Sequence, residues 1–431
     1  MGAWRSFLES PAASCARRES FLARCAHGVD RGGALKQLRN KVHHANTALS
    51  GPRVARLHPT LQTVTPAFTA SNYQTLVLLV LVLAGCHRPP ATPELALSGA
   101  TMGTSYHIKL AERPPGLTVA DLQREVDRCL ETIERQMSTY RADSELSRFN
   151  RFEESEWFPV SADTALVVTT ALEIGQQTGG LFDVTVGPLV NLWGFGPQAR
   201  RDTVPTDEQI VAARERVGQQ YLQTRQTPPA LRKLRPGVYV DLSAIAKGFA
   251  VDQVAQVCDR HQLADYLVEI GGEVRASGHR PDGSWWRIGI EQPLDGARAI
   301  GRVVELDDRS LATSGDYRNF FAAEGQRYSH EIDPRTGRPV THPLASVSVL
   351  AEHCMLADAL ATALMIMGPD EAYRFAEEHQ LDVLLLVRTA TGFTEKSTPG
   401  FAARSVRNAD PPPVPVEHLP APRYSGDRGR G

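Results

Sequence analysis

The sequence has few cysteines, and none of them has the spacing of a metal site or a disulfide framework. Six occur in 431 residues, without a Cys-x-x-Cys pair or a Cys/His cluster. Cys15 and Cys25 lie near the start, and Cys129, Cys258 and Cys354 are widely separated. This pattern argues against a zinc site and against a disulfide-stapled fold. We expect the last three to be small buried apolar side chains.

The sequence also has little net charge and no long apolar run. The formal net charge is −2, so overall electrostatics give no reason to expect nucleic-acid binding. The stretch "TLVLLVLVLA" (residues 75–84) is uncharged but only about ten residues long, whereas a membrane-spanning helix needs roughly twenty. With 42% hydrophobic and 22% charged residues, the composition is that of an ordinary globular protein.

The short apolar run has the length of a signal-peptide core and leads directly into "LAGC", which ends at Cys86. Small residues before a cysteine at this point resemble a bacterial lipobox, so we expect cleavage before Cys86 and lipidation of its thiol. The alternative is a short buried strand. The following "HRPPATPELA" is typical of a flexible tether, which favours the lipoprotein.

The position of this core is unusual, because about seventy residues precede it and the nearest upstream basic side chain is Arg56. We expect that translation starts downstream of Met1, or that residues 1 to about 60 are unstructured. N-terminal sequencing of the precursor tests this, since detection of Met1 would contradict a later start. The predicted organisation is given by five ranges: a leader (1–74), a signal core and lipobox (75–86), a tether (87–97), one domain (98–407) and a disordered Pro-rich tail (408–431).

The domain alternates helix and strand patterns. "TSYHIKL" predicts a strand, and "TVADLQREVDRCLETIERQM" and "DTALVVTTALEIGQQTGG" predict amphipathic helices. "GVYVDLSAIAKGFAVDQVAQVCDRHQL" predicts a strand, a turn and a helix. "YLVEIGGEVRASG" and "WWRIGIEQP" predict paired strands, and later segments continue a largely antiparallel sheet. Mixed helices and antiparallel strands indicate the α+β class.

Three segments could bind an anion or a flat ligand. In "VDLSAIAKGFAVD", Asp241 ends the strand, Ser243 opens a helix and Lys247 lies one turn inside it, where phosphate is favoured. Equally, Asp241 or Ser243 could simply cap the helix while Lys247 is solvated. "TGGLFDVTVGPLVNLWGFGP" predicts a long Gly-rich loop that either binds a ligand or forms a hydrophobic plug. "HEIDPRTGRPV" predicts a polar turn in which His330 is an acid–base candidate or incidental.

One charged residue interrupts the apolar stretch "LADALATALMIMG". On a helix, Asp358 and Thr362 share a face at i, i+4, and their oxygens suit Mg²⁺. The alternative is that Thr362 bonds to the carbonyl of Asp358 while the acid faces water. A carboxylate is rarely buried without a partner, so either this face is exposed or Asp358 meets a cation.

Taken in order, eight segments identify a pattern that no single segment establishes. They are "MGTSYHI", "MSTYRADSELSRFN", "FDVTVGPLVNLWGFGP", "VDLSAIAKGFAVD", "EIGGEVRASG", "LATSGDYRNFF", "HEIDPRTGRPV" and "ADALATAL". Together they closely resemble the ApbE family, the FAD:protein FMN transferases, from about Ser98 to about Val387. The resemblance implies a single T-fold-like body with flanking helices. It also implies Mg²⁺-dependent transfer of FMN from FAD to a Thr or Ser hydroxyl of an acceptor protein, with release of AMP.

The resemblance also implies site residues. The positions matching the FAD pocket are Met102, Tyr140, Leu181, Phe182, Asp183, Asp241, Lys247 and Ile332. The metal would be held by Asp358, Thr362 and the backbone carbonyl of Ala244, and His330 would assist phosphoryl transfer. Glu273 departs from the pattern, which often has Asn there. The expected acceptor is a subunit of a membrane redox complex, and the expected location is the periplasmic face of the bacterial inner membrane.

Two other functions fit the same residues. One is an FAD pyrophosphatase that uses water as the nucleophile and gives free FMN and AMP. The other is a non-catalytic FAD-binding lipoprotein, which would not need a metal pair such as Asp358 and Thr362.

Overall fold

The computed structural model describes residues 94–197, 202–294 and 299–407. The helices of this part are α1 (Val119–Met137), α2 (Glu145–Arg151), α3 (Ala162–Gln177), α4 (Gly187–Leu192), α5 (Asp207–Arg214), α6 (Ala246–Arg260), α7 (Cys354–Met367), α8 (Pro369–Glu378) and α9 (Pro399–Ala403). A short 3₁₀ helix covers Gln219–Tyr221.

The strands complete an α+β architecture, as predicted. They are β1 (Leu95–Thr101), β2 (Thr104–Leu110), β3 (Phe158–Pro159), β4 (Leu222–Gln226), β5 (Pro229–Lys233), β6 (Tyr266–Ile270), β7 (Glu273–Ser277), β8 (Trp286–Glu291), β9 (Ile300–Leu306), β10 (Ser310–Gly315), β11 (Phe320–Ala323), β12 (Gln326–Ser329), β13 (Ile332–Asp333), β14 (Arg338–Pro339), β15 (Leu344–Ala351), β16 (Asp382–Thr389), β17 (Gly392–Ser397) and β18 (Ser405–Arg407).

An eight-stranded sheet forms the centre, in the order β1-β2-β6-β7-β10-β15-β16-β17. Every neighbouring pair in it is antiparallel. Nearly all of β15 is buried on both faces, and six of its eight residues are apolar. Helix α7 packs on β10 and β15, and α6 packs on β6 and β7.

Helices α1 and α7 illustrate how sequence pattern places the elements. Helix α1 buries one stripe, from Leu122 to Met137, and Thr118 caps it by accepting the backbone N–H of Asp121. Helix α7 is buried almost all round and ends at Gly368, whose φ of 83° suits glycine. The chain therefore buries Asp358 inside an apolar helix rather than at an exposed face.

Three predictions about elements are wrong. Strand β8 pairs with β9, not with the β6–β7 hairpin, and forms a separate three-stranded sheet with β18. The segment before Asp241 is not a strand and makes only a single bridge, from Tyr239 to Val186. The Gly-rich loop contains α4, so Gly187 and Pro188 begin a helix instead of extending the loop.

The leader, the lipobox with Cys86 and the Pro-rich tail lie outside the described residues. Strand β1 begins at Leu95, which is inside the segment predicted as a tether. In the part of the chain that the structure describes, no helix has the length and apolarity needed to cross a bilayer.

Candidate active site

The site begins where α6 and α7 touch. A Cβ on Gly248 would lie 2.3 Å from the carbonyl oxygen of Cys354 and 2.8 Å from the Cβ of Asp358, so glycine permits the close approach. At this contact the backbone N–H of Gly248 donates to Oδ2 of Asp358 at 2.9 Å. Helix α6 begins at Ala246, three residues after the predicted start at Ser243. Because Gly248 lies in the first turn of α6, the positive end of the helix dipole is directed at the carboxylate of Asp358.

Asp252, one turn further along α6, anchors the start of α7. Its carboxylate accepts the backbone N–H groups of Cys354 at 3.0 Å and Met355 at 2.9 Å. It also pairs with the guanidinium of Arg275 at 2.8 Å. The α7 N-terminus is therefore capped by a side chain from a neighbouring helix, which fixes the axial position of Asp358.

A lysine lies between two buried acids. The ammonium of Lys247 is 2.6 Å from Oε1 of Glu273 and 3.9 Å from Oδ1 of Asp358. Burial raises the pKa of both carboxyls, to about 7 for Glu273, while Lys247 opposes this rise. Burial alone would lower the pKa of Lys247, but Asp358 and Glu273 together raise it, so the lysine is charged.

Thr362 lies one turn after Asp358 and faces the same cavity. Its hydroxyl is 3.1 Å from the hydroxyl of Ser314, rather than bonded to the carbonyl of Asp358. Ala244 also lines the cavity. The described residues contain no cluster of three His, Cys, Asp or Glu side chains that could hold a metal. A cation here would therefore rely on one carboxylate with hydroxyl and carbonyl oxygens.

His330 is held with one ring nitrogen available. Its Nδ1 lies 3.2 Å from the carbonyl oxygen of Asn319, which can only accept, so Nδ1 carries the proton. Nε2 is then the basic nitrogen and lies 3.6 Å from the carboxyl of Glu331. Burial lowers the pKa of His330 well below its ordinary value, so the imidazole is neutral at physiological pH and Nε2 keeps a free lone pair.

The α4 segment supports this histidine. The ring of Phe195 meets that of His330 edge-on, with centroids 6.3 Å apart. The indole N–H of Trp193 donates to the carbonyl of Gly337 at 2.8 Å and ties the segment to the turn after His330. In the segment for which the sequence allowed either a hydrophobic plug or a ligand-binding loop, Trp193 is buried and Phe195 lines the cavity.

A cavity of about 900 Å³ opens between these elements. Most of the predicted site residues line it, and they are Met102, Tyr140, Asp241, Ala244, Lys247, His330, Ile332, Asp358 and Thr362. Met102 is held in a positive-φ turn (φ 49°), where its N–H donates to Glu134 at 2.7 Å. The side chain of Tyr140 is 60% exposed, so it lies at the mouth.

Three predicted FAD contacts are placed elsewhere. Leu181, Phe182 and Asp183 are buried and are not among the described residues that line the cavity. Asp183 accepts bonds from Thr185 and from the backbone N–H of Gln219, so its carboxylate is used to fix the loop. A role for these three in contacting the cofactor stays a prediction.

Sequence reasoning missed Ser314, Glu331 and the capping role of Asp252. Glu331 is 5% exposed and lines the cavity beside His330. An acid directly between His330 and the buried Ile332 was the available signal. Ser314 gave no such signal, because only the fold brings β10 against α7.

Comparison with known proteins identifies the relatives of this chain. The ApbE family model matches residues 102–385. A "FAD:protein FMN transferase" of Vibrio cholerae is 48% identical over 330 residues, which are 77% of this chain and 98% of that protein. One of Haemophilus influenzae is 45% identical over 330 residues, which are 75% of this chain and 95% of that protein. The solved "Flavin Transferase ApbE from Vibrio cholerae" superposes with a TM-score of 0.68 at 48% identity, covering 72% of this chain and 99% of that one. The match spans most of the chain and nearly the whole length of these relatives, and the chain belongs to the ApbE family.

Proposed function

We propose that this chain transfers the FMN moiety of FAD to a Thr or Ser hydroxyl of an acceptor protein and releases AMP. The observation that carries the proposal is the convergence of Asp358, Lys247 and the α6 N-terminus on one cavity of about 900 Å³. In a family whose relatives bear the name FAD:protein FMN transferase, these are groups suited to a pyrophosphate and its counter-ion.

The residues present fit a divalent cation. Asp358, Glu273 and Glu331 are each at most 5% exposed, and the ammonium of Lys247 pairs with the first two. Within the described residues, Oε2 of Glu273 is buried without a hydrogen-bond partner, so an oxygen in this region still lacks a polar contact. Asp358, Thr362 and the carbonyl of Ala244 would hold Mg²⁺, which commonly keeps few protein ligands. When bound, the ion would neutralise pyrophosphate oxygens.

The chain's own groups divide the remaining work. The attacking hydroxyl forms a new P–O bond at the phosphorus of the FMN half, and the P–O bond to the AMP phosphate breaks. Nε2 of His330 is the acceptor for the hydroxyl proton, because Nδ1 is engaged by the carbonyl of Asn319. Lys247 and the α6 N-terminus orient the phosphates, since phosphoryl transfer depends mainly on positioning and charge stabilisation.

The deciding experiment mixes the protein with FAD, Mg²⁺ and a candidate acceptor domain and measures the intact mass of the acceptor. A gain equal to FMN, lost with a chelator and in Asp358→Ala, is the expected result. Full transfer by Asp358→Ala would refute the metal assignment. Accumulation of free FMN and AMP without labelled acceptor would identify a pyrophosphatase, and FAD retained unchanged with several acceptors would identify a binding protein.

We also propose that a lipid on Cys86 anchors the enzyme to the periplasmic face of a bacterial membrane, where a subunit of a membrane redox complex is the acceptor. The support is sequence alone: the apolar run ending in "LAGC". Metabolic labelling with a fatty-acid probe tests this proposal. Equal labelling of the wild type and Cys86→Ser would contradict it.

A further inference from the structure

The ammonium of Lys247 lies much closer to the carboxylate of Glu273 than to that of Asp358. The ammonium is 2.6 Å from Oε1 of Glu273 but 3.9 Å from Oδ1 of Asp358, beyond hydrogen-bond distance. Both carboxylates are almost fully buried, with side chains 4% and 5% exposed. Oδ2 of Asp358 is engaged by Gly248, so Oδ1 is the oxygen that faces Lys247.

The backbone explains why the lysine leans toward Glu273. Glu273 opens β7 directly after the Gly271–Gly272 turn, whose φ angles are 62° and 107°. A Cβ on Gly271 would lie 3.5 Å from Cδ of Lys247, so the aliphatic stem of the lysine runs beside this turn toward the start of β7. The turn therefore presents the carboxylate of Glu273 to the end of the lysine.

A lysine this close to Asp358 competes with any cation for the same oxygen. In a poorly solvated site an ammonium without another partner would move to direct contact with Asp358, because the attraction between opposite charges increases as they approach. Glu273 supplies that other partner at shorter distance. The result is a carboxylate that is buried next to a positive charge and yet keeps Oδ1 free of a direct bond.

We propose that Glu273 is a positioning residue that draws the Lys247 ammonium away from Asp358 and so keeps this carboxylate open to a divalent cation. The inference rests on the metal site of the proposed function, which counts Glu273 only among the nearby buried acids, and it gives this residue a specific role. Glu273 acts through Lys247 rather than as a ligand. Removing the carboxylate of Glu273 should therefore weaken cation binding only while Lys247 is present.

The test is a double-mutant cycle on Mn²⁺ binding to the full chain without FAD, followed by electron paramagnetic resonance. The four proteins are the wild type, Glu273→Gln, Lys247→Met and the double variant. Glu273→Gln is expected to weaken Mn²⁺ binding about tenfold, because the lysine then contacts Asp358. Lys247→Met is expected to tighten binding, and the double variant to match Lys247→Met within about twofold.

Two outcomes would overturn the proposal. If Glu273→Gln weakens Mn²⁺ binding equally with and without Lys247, Glu273 acts as a ligand or as bulk negative charge. If it has no effect in either background, the ion pair has no bearing on the metal. Circular dichroism of each variant checks that the near-isosteric changes leave the fold intact.

Asp358→Asn separates this inference from the proposed metal site. If that variant loses Mn²⁺ binding, the metal assignment stands whatever the cycle shows, and a failed cycle counts against Glu273 alone. If Asp358→Asn binds Mn²⁺ like the wild type, the metal assignment and the role of Glu273 both fall. Transfer of FMN, measured separately by acceptor mass, reports on the reaction itself.

Discussion

At the scale of single residues, the buried acids in and next to the cavity differ in how far neighbouring groups compensate their charge. Asp316 is bound by both terminal nitrogens of Arg388, and Glu273 has the ammonium of Lys247. For Glu331, the one ion-pair contact within 4 Å among the described residues is with Nε2 of His330, at 3.6 Å. Glu331 is therefore the least compensated of these carboxyls, and its ionisation should lower the free energy of unfolding the most.

Glu331 yields a prediction about stability and pH. Burial first, and then the charges of Asp316 and Asp358, raise its pKa to about 8 against the opposing effect of Lys247. An acid with a raised pKa favours the folded state when protonated, so its contribution is complete below its ordinary pKa of 4.5 and is lost as pH rises through about 8. We expect Glu331→Gln to remove this loss, which amounts to roughly 3 kcal/mol between pH 5.5 and 8.5.

Urea unfolding at the two pH values measures the difference. The wild type should lose more free energy of unfolding than Glu331→Gln on going to pH 8.5. Glu154→Gln is the matched control, because Glu154 is exposed and is not among the described residues that line the cavity. Identical pH dependence in the wild type and Glu331→Gln would show that Glu331 ionises freely in the folded protein.

At the scale of elements, the site depends on one helix pair. Helix α6 provides Lys247, the N–H of Gly248 and the capping carboxylate of Asp252, while α7 provides Asp358 and Thr362. The relative position of the two helices therefore determines the distances between the charged groups. Gly248 sets how closely they approach.

Gly248→Ala should disturb this contact. The added methyl would meet the backbone of Cys354 at 2.3 Å, which cannot move as a flexible side chain could, so the helices must separate. Overpacking of this kind costs about 1–3 kcal/mol. We expect a comparable loss in the free energy of unfolding and at least about a tenfold loss of Mn²⁺ binding, since Asp358 moves with α7.

The control is Gln256→Ala, on the exposed face of α6. It should change stability by less than about 0.5 kcal/mol and leave Mn²⁺ binding unaltered. If Gly248→Ala were as stable as this control and bound Mn²⁺ normally, the close approach of α6 and α7 would not be what positions the site.

At the scale of the whole molecule, sequence pattern predicted the elements better than their partners. The periodicity of α1, the apolar run of α7 and the alternation of β2 each led to elements close to those observed. Pairing was less predictable: nothing local to Trp286 indicates that β8 pairs with β9 rather than the preceding hairpin. Such choices are made by tertiary packing.

The same division holds for the site. Asp358 was conspicuous because a charge in an apolar helix needs a partner, and the structure supplies Gly248 and Lys247. Ser314 could not be predicted, because nothing in the sequence distinguishes it from other serines in strands. Only the fold places its hydroxyl against that of Thr362. Asp183 shows another limit of the sequence: the fold brings the backbone N–H of Gln219 to its carboxylate from 36 residues away, and no local pattern indicates that contact.

The cavity is built from residues between Met102 and Ile366, so ligands that fill it should stabilise the body as a whole. The buried carboxylate of Asp358 repels an FAD pyrophosphate, and a divalent cation would relieve that repulsion. Binding of FAD and of Mg²⁺ should therefore be mutually favourable, by about 1–2 kcal/mol, and by linkage each must strengthen the other equally.

The predicted result is a rise in Tm with both ligands that exceeds the sum of the separate rises by at least about 2 °C. Near-ultraviolet circular dichroism during heating measures it. Asp358→Asn should abolish the excess while leaving the rise from FAD alone, and simple additivity in the wild type would show that the acids and the cofactor do not interact.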